Sequence, residues 1–288
     1  MAAPAIQRGD AVRPARTPGD LLTLLGRWWP ALVALPWLVA VVAPGLIAHQ
    51  DPLALNLSHR LEPPSFQNLL GTDEVGRDLF ARCVWGVRYS LGISILIVVG
   101  AAVIGTIIGG LAGLFRGPID TLLMRSTDVF LAFPYFILAI AIASAVGPGM
   151  TTVVVALTAV WWPGYARMVR GQVLALKELA FVEGARAVGT STWTILVRHL
   201  LPHLLPQLSA RVTMDVGYAV LALTGLSFLG MGAQPPTPEL GAIIADARSH
   251  LLEAWWYTTL PGIFVLAAVL TSMVFSDWLE QRNTRHRS

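Results

Sequence analysis

Cysteine is nearly absent from this chain: Cys83 is the only one, so no framework of intrachain disulfides can hold the fold, and the redox compartment stays open. Lysine is as rare, with Lys177 standing alone beside 19 arginines. Charged side chains make up only 13% of the 288 residues, against the roughly 25% of soluble domains, while hydrophobic residues reach 55%. Little charge and much apolar surface exclude a disordered chain and argue against a soluble globule. The net charge of +3 is too small and too dispersed to mark a nucleic-acid partner.

Catalytic motifs are missing as well. A phosphate-binding loop needs a lysine after a glycine run, and Lys177 sits in Leu174-Ala175-Leu176-Lys177-Glu178 with no such run before it. Hydrolysis of ATP by that route is therefore not expected of this chain. His49, His59, His199, His203, His250 and His286 show no zinc-protease spacing; His199 and His203 are four apart but lack an adjacent acid. The serine-hydrolase pattern Gly-x-Ser-x-Gly is absent too. The chain reads as one without a catalytic, cofactor or metal site of its own.

What is present is long runs without Asp, Glu, Lys or Arg: 28–50, 89–115, 129–166, 216–238 and 254–276. A hydrocarbon core about 30 Å thick is crossed by roughly 20 apolar helical residues. The third run is too long for one crossing and carries the turn triplet Gly147-Pro148-Gly149 at its middle, so it divides in two. The prediction is an all-α membrane protein with six transmembrane helices. Six crossings put both termini on one side, and that side's segments carry thirteen Arg and Lys residues against five on the other, which predicts cytoplasmic termini.

Residues 1–27 read as a disordered cytoplasmic tail, 28–48 as the first transmembrane helix, 49–86 as an external segment, 87–280 as a core holding the other five helices, and 281–288 as a second cytoplasmic tail. A secretory signal is the rival reading of the N-terminus, but the apolar run to Ala48 exceeds the usual roughly 7 to 15 residues. Within the second span Ala101, Gly105, Gly109 and Gly113 recur every fourth residue, a smooth stripe for close helix packing that leaves open whether the neighbour is in this chain or in a partner. Arg125 with Asp128, and Arg211 with Asp215, are spaced to pair on one helix face. That suits a structural or gating role better than a proton relay, which needs unpaired acids near the midplane.

Two loops are long enough to meet soluble partners. In the external one, Gly71 to Arg82 places turns at glycines and charges of both signs nearby; Asp73, Arg77, Asp78 and Arg82 read as structural, with substrate contact or a hard-cation site at Asp73, Glu74 and Asp78 as alternatives. In the cytoplasmic one, Glu183-Gly184-Ala185-Arg186-Ala187-Val188-Gly189 is followed after nine residues by His199-Leu200-Leu201-Pro202. Small residues allow close approach, Gly189 can end a helix in the left-handed region, and Pro202 suits a first helical turn. The pattern predicts a short helix, a bend and a second short helix; an amphipathic helix lying on the membrane is the alternative.

These residues carry a resemblance. Glu183, Ala185, Gly189, Leu201 and Pro202 match the EAA loop of ABC importer permeases, Glu-Ala-Ala-x3-Gly-x9-Ile-x-Leu-Pro, with Gly184 in place of Ala and His199 in place of Ile. Leu70-Gly71-Thr72-Asp73-Glu74-Val75-Gly76-Arg77-Asp78 resembles the block before the second span in the C-type permeases of peptide and nickel importers. The resemblance covers roughly residues 30–280.

It implies a type I ABC importer permease fold in a bacterial cytoplasmic (inner) membrane. It also implies a homologous second permease, two ATPase subunits that hold the ATP and magnesium, an extracytoplasmic solute-binding protein, and lipid around the spans. The coupling loop, 177–202, would dock the ATPases through Glu183, Gly184, Ala185, Gly189 and Pro202, with Glu183 fixing the loop by a hydrogen bond or ion pair. Gly71, Asp73, Gly76, Arg77 and Asp78 form the external structural motif. Tyr135, Thr158, Trp162 and Tyr218 are polar or aromatic positions on otherwise apolar faces and are the candidate substrate path. The expected cargo is dipeptides or oligopeptides, with nickel or glutathione as alternatives on the same machinery and a secondary transporter as the alternative class.

Overall fold

The structure, a computed structural model, describes residues 18–115 and 117–285, with side chains from Trp28 to Arg282. Among the described residues there are ten α-helices: α1 (Pro18–Val42), α2 (Leu79–Leu114), α3 (Pro118–Leu131), α4 (Tyr135–Val146), α5 (Met150–Leu176), α6 (Ala180–Ala187), α7 (Thr192–Thr194), α8 (Leu201–Phe228), α9 (Leu240–Ala247) and α10 (Trp255–Arg285). The expected tail at 1–27 lies outside the described residues up to position 17; from Pro18 the chain is already helical. Likewise α10 continues through 281–285, into the stretch read as a second tail, and only 286–288 fall outside. The first and last charges of a run mark where a helix meets polar surroundings, and a helix has no reason to stop there.

By length and composition α2 and residues Trp255–Arg282 of α10 can each cross a membrane, and α3 with α4, bent by 87° at their junction, counts as a third if it is one broken span. The break shows that the apolar run 129–146 is not one continuous helix. Pro134 has no N–H to continue the α3 ladder and holds Phe133 away from helical geometry, so α4 starts afresh with Pro134 as its N-cap. A second difference falls at 216–238. The helix there starts earlier, at Leu201, and stops at Phe228; Gly230 takes φ +82° and the charge-free residues after it, which include Pro235-Pro236, run as irregular chain into α9. Absence of charge is a statement about solvent, and Gly and Pro decide the backbone.

The stripe on α2 is settled as contact within the chain. A Cβ at Gly105 would stand 2.6 Å from the Trp162 carbonyl oxygen, one at Gly113 would stand 2.8 Å from Val173, and one at Gly109 would run into the Ala166 carbonyl. The backbones of α2 and α5 therefore touch along three turns, which only glycine permits. At the top of α2, Asp78 caps the helix by accepting from Ala81 N–H at 2.7 Å. Beside this pair, α8, α9 and α10 close a core of Val87, Leu91, Val220, Leu240, Ile243 and Tyr257. α4 joins α5 and α8 through Ala139, Leu157 and Leu223.

Candidate functional site

Between α5 and α8 the expected helix, bend and helix are present. α6 ends with Val188 and then Gly189 at φ +81°, where Gly189 N–H donates to Arg186 O at 2.9 Å and Thr190 N–H to Ala185 O at 3.0 Å. Those two bonds are a Schellman closure, and they satisfy the carbonyls that a helix end leaves over. The chain restarts at Ser191, whose hydroxyl caps α7 through Thr194 N–H at 3.2 Å. The second helix is longer than expected: α7 passes through a π-helical stretch, Ile195–Leu200, straight into α8. Pro202 lies in the first turn of α8 and cannot donate a backbone hydrogen bond, which accounts for the widened turn just before it.

Val182 is the buried anchor of α6, packed with Val169, Val173, Ile195, Leu196 and Leu200. The opposite side stays open. Phe181, Val188 and Trp193 are exposed, Val188 by 82%, and nothing lies within 4 Å of a Cβ at Gly184 or Gly189. Glu183 is also exposed, in the first turn of α6, where the helix dipole favours a carboxylate. The lock expected of it is not found: among the described residues its carboxylate makes no hydrogen bond or ion pair. Phe181 stacks instead on His203, ring centroids 5.3 Å apart.

α3 is held to α5 by charge. Arg170 grips Asp120 with two bonds of 2.5 and 2.7 Å, and Arg167 donates to Asp128 at 2.7 Å. Asp128 thus pairs across helices with Arg167, where the spacing had suggested Arg125. A helix-surface neighbour three residues away loses to a guanidinium aimed from α5. The pair Arg211 and Asp215 forms as the spacing suggests, at 2.8 Å.

The external motif is a closed polar knot. Asp73 is fully buried and accepts from Val75 N–H at 3.0 Å, Arg77 N–H at 2.9 Å and Arg77 Nε at 2.5 Å, with Arg82 Nε 3.3 Å away. Gly71 and Gly76 have φ +79° and +76°; a side chain at Gly71 would meet the Glu62 carbonyl at 2.5 Å, and one at Gly76 would enter the Asn56 backbone. Burial pushes the Asp78 carboxyl above the usual range, partly offset by the Ala81 N–H it accepts.

Two features escaped the sequence. Glu239 is 0% exposed, caps α9 through Ala242 N–H at 2.9 Å and accepts from the Ser90 hydroxyl on α2 at 2.8 Å. Burial raises its pKa. Its signal was a polar residue just ahead of the apolar run Leu240-Gly241-Ala242-Ile243, although an external glutamate more often faces water. His250 is the other, set between Glu253 at 2.5 Å and Glu74 at 3.4 Å, so that it joins the external segment to the start of α10.

The substrate-path candidates divide. Tyr135 and Tyr218 are exposed. Thr158 packs its methyl on Gly100 of α2, and Trp162 meets Phe130 edge-on at 5.3 Å, so both are helix-packing residues in this chain.

Comparison with known proteins matches this geometry to one family. Residues 105–285 fit the model of the binding-protein-dependent transport system inner membrane component. A probable D,D-dipeptide transport system permease of Escherichia coli K12 is 37% identical over 246 residues, 85% of this chain and 82% of the relative. A dipeptide transport system permease of Alkalihalophilus pseudofirmus is 38% identical over 84% of this chain and 79% of the relative. A glutathione transport system permease of Pectobacterium atrosepticum is 42% identical over 76% and 72%. Among solved structures, an inward-facing MetNI methionine ABC transporter chain superposes with a TM-score of 0.59 at 23% identity, covering 72% of this chain and 98% of that one. The chain belongs to the family of binding-protein-dependent transport system inner membrane components, as an ABC importer permease.

Proposed function

We propose that this chain forms half of the translocation pore of an ATP-driven importer of dipeptides or oligopeptides, in a bacterial inner membrane. Six spans with both termini in the cytoplasm are assigned to α1, α2, the α3–α4 pair, α5, α8 and α10. A homologous permease supplies the other half, two ATPases dock on the coupling loops, and an external solute-binding protein delivers cargo. The observation that carries this reading is the loop at 180–202: a short helix held from inside by Val182, closed at Gly189, and offering Phe181, Val188 and Trp193 outward. An apolar face on a loop between long helices is a ready seat for a soluble subunit.

The division of labour follows from population shift. Nucleotide closes the ATPase pair, and the docked loops carry that movement into α5 and α8, so the pore opens outward; hydrolysis lets it return. Peptide cargo is supported by the names of the relatives at 37% and 38% identity, and glutathione, itself a tripeptide, by the relative at 42%. The test is reconstitution with the partner subunits in vesicles: uptake of a labelled dipeptide that needs ATP and the binding protein supports the assignment. Robust ATPase activity from this chain purified alone would refute it. Parallel uptake of glutathione and nickel ranks the cargoes.

A further inference from the structure

We propose that the start of α1 and the end of α10 together form a binding site for the phosphate of an anionic phospholipid, with Arg282 as its donor. The guanidinium of Arg282 lies over the Trp28 ring at 4.7 Å and over the Trp278 ring at 5.4 Å, and the two indoles are themselves 5.4 Å apart. Phe275 stacks behind Trp278 at 5.4 Å and fixes that ring. Stacking uses the faces of a guanidinium and leaves the N–H donors around its edge free. Among the described residues no carboxylate or carbonyl takes them: Asp277 and Glu280 lie on the same helix, and neither pairs with Arg282. A cation oriented by two rings, with no anionic partner among the described residues, can take a phosphate on its edge.

Its place in the fold names the anion. The charge-free run of α10 ends at Ser276, six residues before Arg282, and the charge-free run of α1 begins at Trp28, so both stand at the polar margin of their apolar stretches. Tryptophan and arginine at that depth face lipid headgroups. In sequence Arg27 precedes Trp28 and Arg285 follows Arg282, against Asp277 and Glu280 before it, which leaves the segment net basic. A phosphodiester on a negatively charged headgroup satisfies both the in-plane donors and the net charge; a zwitterionic headgroup satisfies only the donors. Bound there, the lipid would add a clamp between α1 and α10 beside the Trp28–Trp278 ring contact.

The test uses the full chain in nanodiscs of phosphatidylcholine titrated with phosphatidylglycerol, with bound phosphatidylglycerol counted by native mass spectrometry and thermal unfolding followed in parallel. Expected is saturable binding with a rise in unfolding temperature, weakened roughly fivefold in Arg282→Gln, the factor one arginine near an anionic surface contributes. Trp278→Leu keeps the charge but loses the ring, and is expected to weaken binding as well. Arg125→Gln removes an exposed arginine elsewhere and is expected to bind as wild type. Soluble glycerol phosphate is expected not to compete. Equal binding by wild type and Arg282→Gln, or equal loss in Arg125→Gln, would overturn the site and leave general attraction to anionic lipid; competition by glycerol phosphate would overturn its lipid nature.

Discussion

The single lysine of the chain donates from Nζ to the carbonyl of Gly113 at 2.6 Å. Gly113 is in the last turn of α2, where carbonyls have no helical partner, and Lys177 is the residue that ends α5. A buried ammonium thus caps one long helix from the foot of another. Lys177→Met keeps the apolar stem and removes the donor. It is expected to lower stability by about 1–3 kcal/mol, the cost of a buried acceptor left unpaired, read as a lower unfolding temperature in detergent. An unchanged temperature would show that Gly113 finds another donor.

The coupling loop separates two glycines. Gly189 needs its positive φ, whereas a Cβ at Gly184 meets open space and its backbone is ordinary helix. Gly189→Leu is expected to strain the Schellman closure by roughly 1–2 kcal/mol, leave insertion intact and abolish uptake; Gly184→Ala is expected to insert and to fold as wild type. Normal uptake by Gly189→Leu would detach the closure from coupling.

On α2, two neighbouring glycines make a matched pair. A methyl at Gly109 collides with the Ala166 carbonyl, while at Gly110 it comes no nearer than 3.6 Å to Leu196. Gly109→Ala is expected to cost about 1–3 kcal/mol through overpacking, and Gly110→Ala to be neutral or mildly stabilising. The comparison is a pair of melting curves, and equal curves would mean that α2 and α5 are less tightly apposed.

In the external knot, Asp73→Ala removes the partner of two buried arginines. The expected penalty is about 3–5 kcal/mol, seen as loss of folded protein from the membrane fraction. Recovery by Asp73→Asn should be partial, because the amide keeps an acceptor for the Val75 and Arg77 N–H groups but not the charge.

Topology has a direct assay, because buried Cys83 stays out of reach of a maleimide. With Phe66→Cys and Val188→Cys, both at fully or largely exposed positions, an impermeant maleimide is expected to label the first in intact spheroplasts and the second only after permeabilisation. Labelling of both from one side would reject the assigned orientation.

The sequence was most readable where backbone chemistry is local. The helix end at Gly189, the Gly147-Pro148-Gly149 turn between α4 and α5, and the four-residue rhythm of the α2 stripe each depend on a few adjacent residues. It was least readable where a distant element decides. Asp128 chose Arg167 over Arg125 because α5 passes beside α3; Glu239 is buried because Ser90 on α2 awaits it; Thr158 and Trp162 pack on neighbours that no spacing rule reveals. Pro134 is a local signal too: it breaks the helix inside a run that carries no charge. The exposed carboxylate of Glu183 shows the converse: none of the described residues partners it, so its role is open to another subunit.

The glycine contacts between α2 and α5 leave no slack for sliding. With carbonyl oxygens resting where side chains would be, and Lys177 tying the end of α5 to the last turn of α2, the two helices are built to move together along the roughly 54 Å of the 36-residue α2. On the proposed coupling, a small stroke delivered at α6 would be returned at the far end, at Asp78, as a displacement set by where the fulcrum lies along that rod.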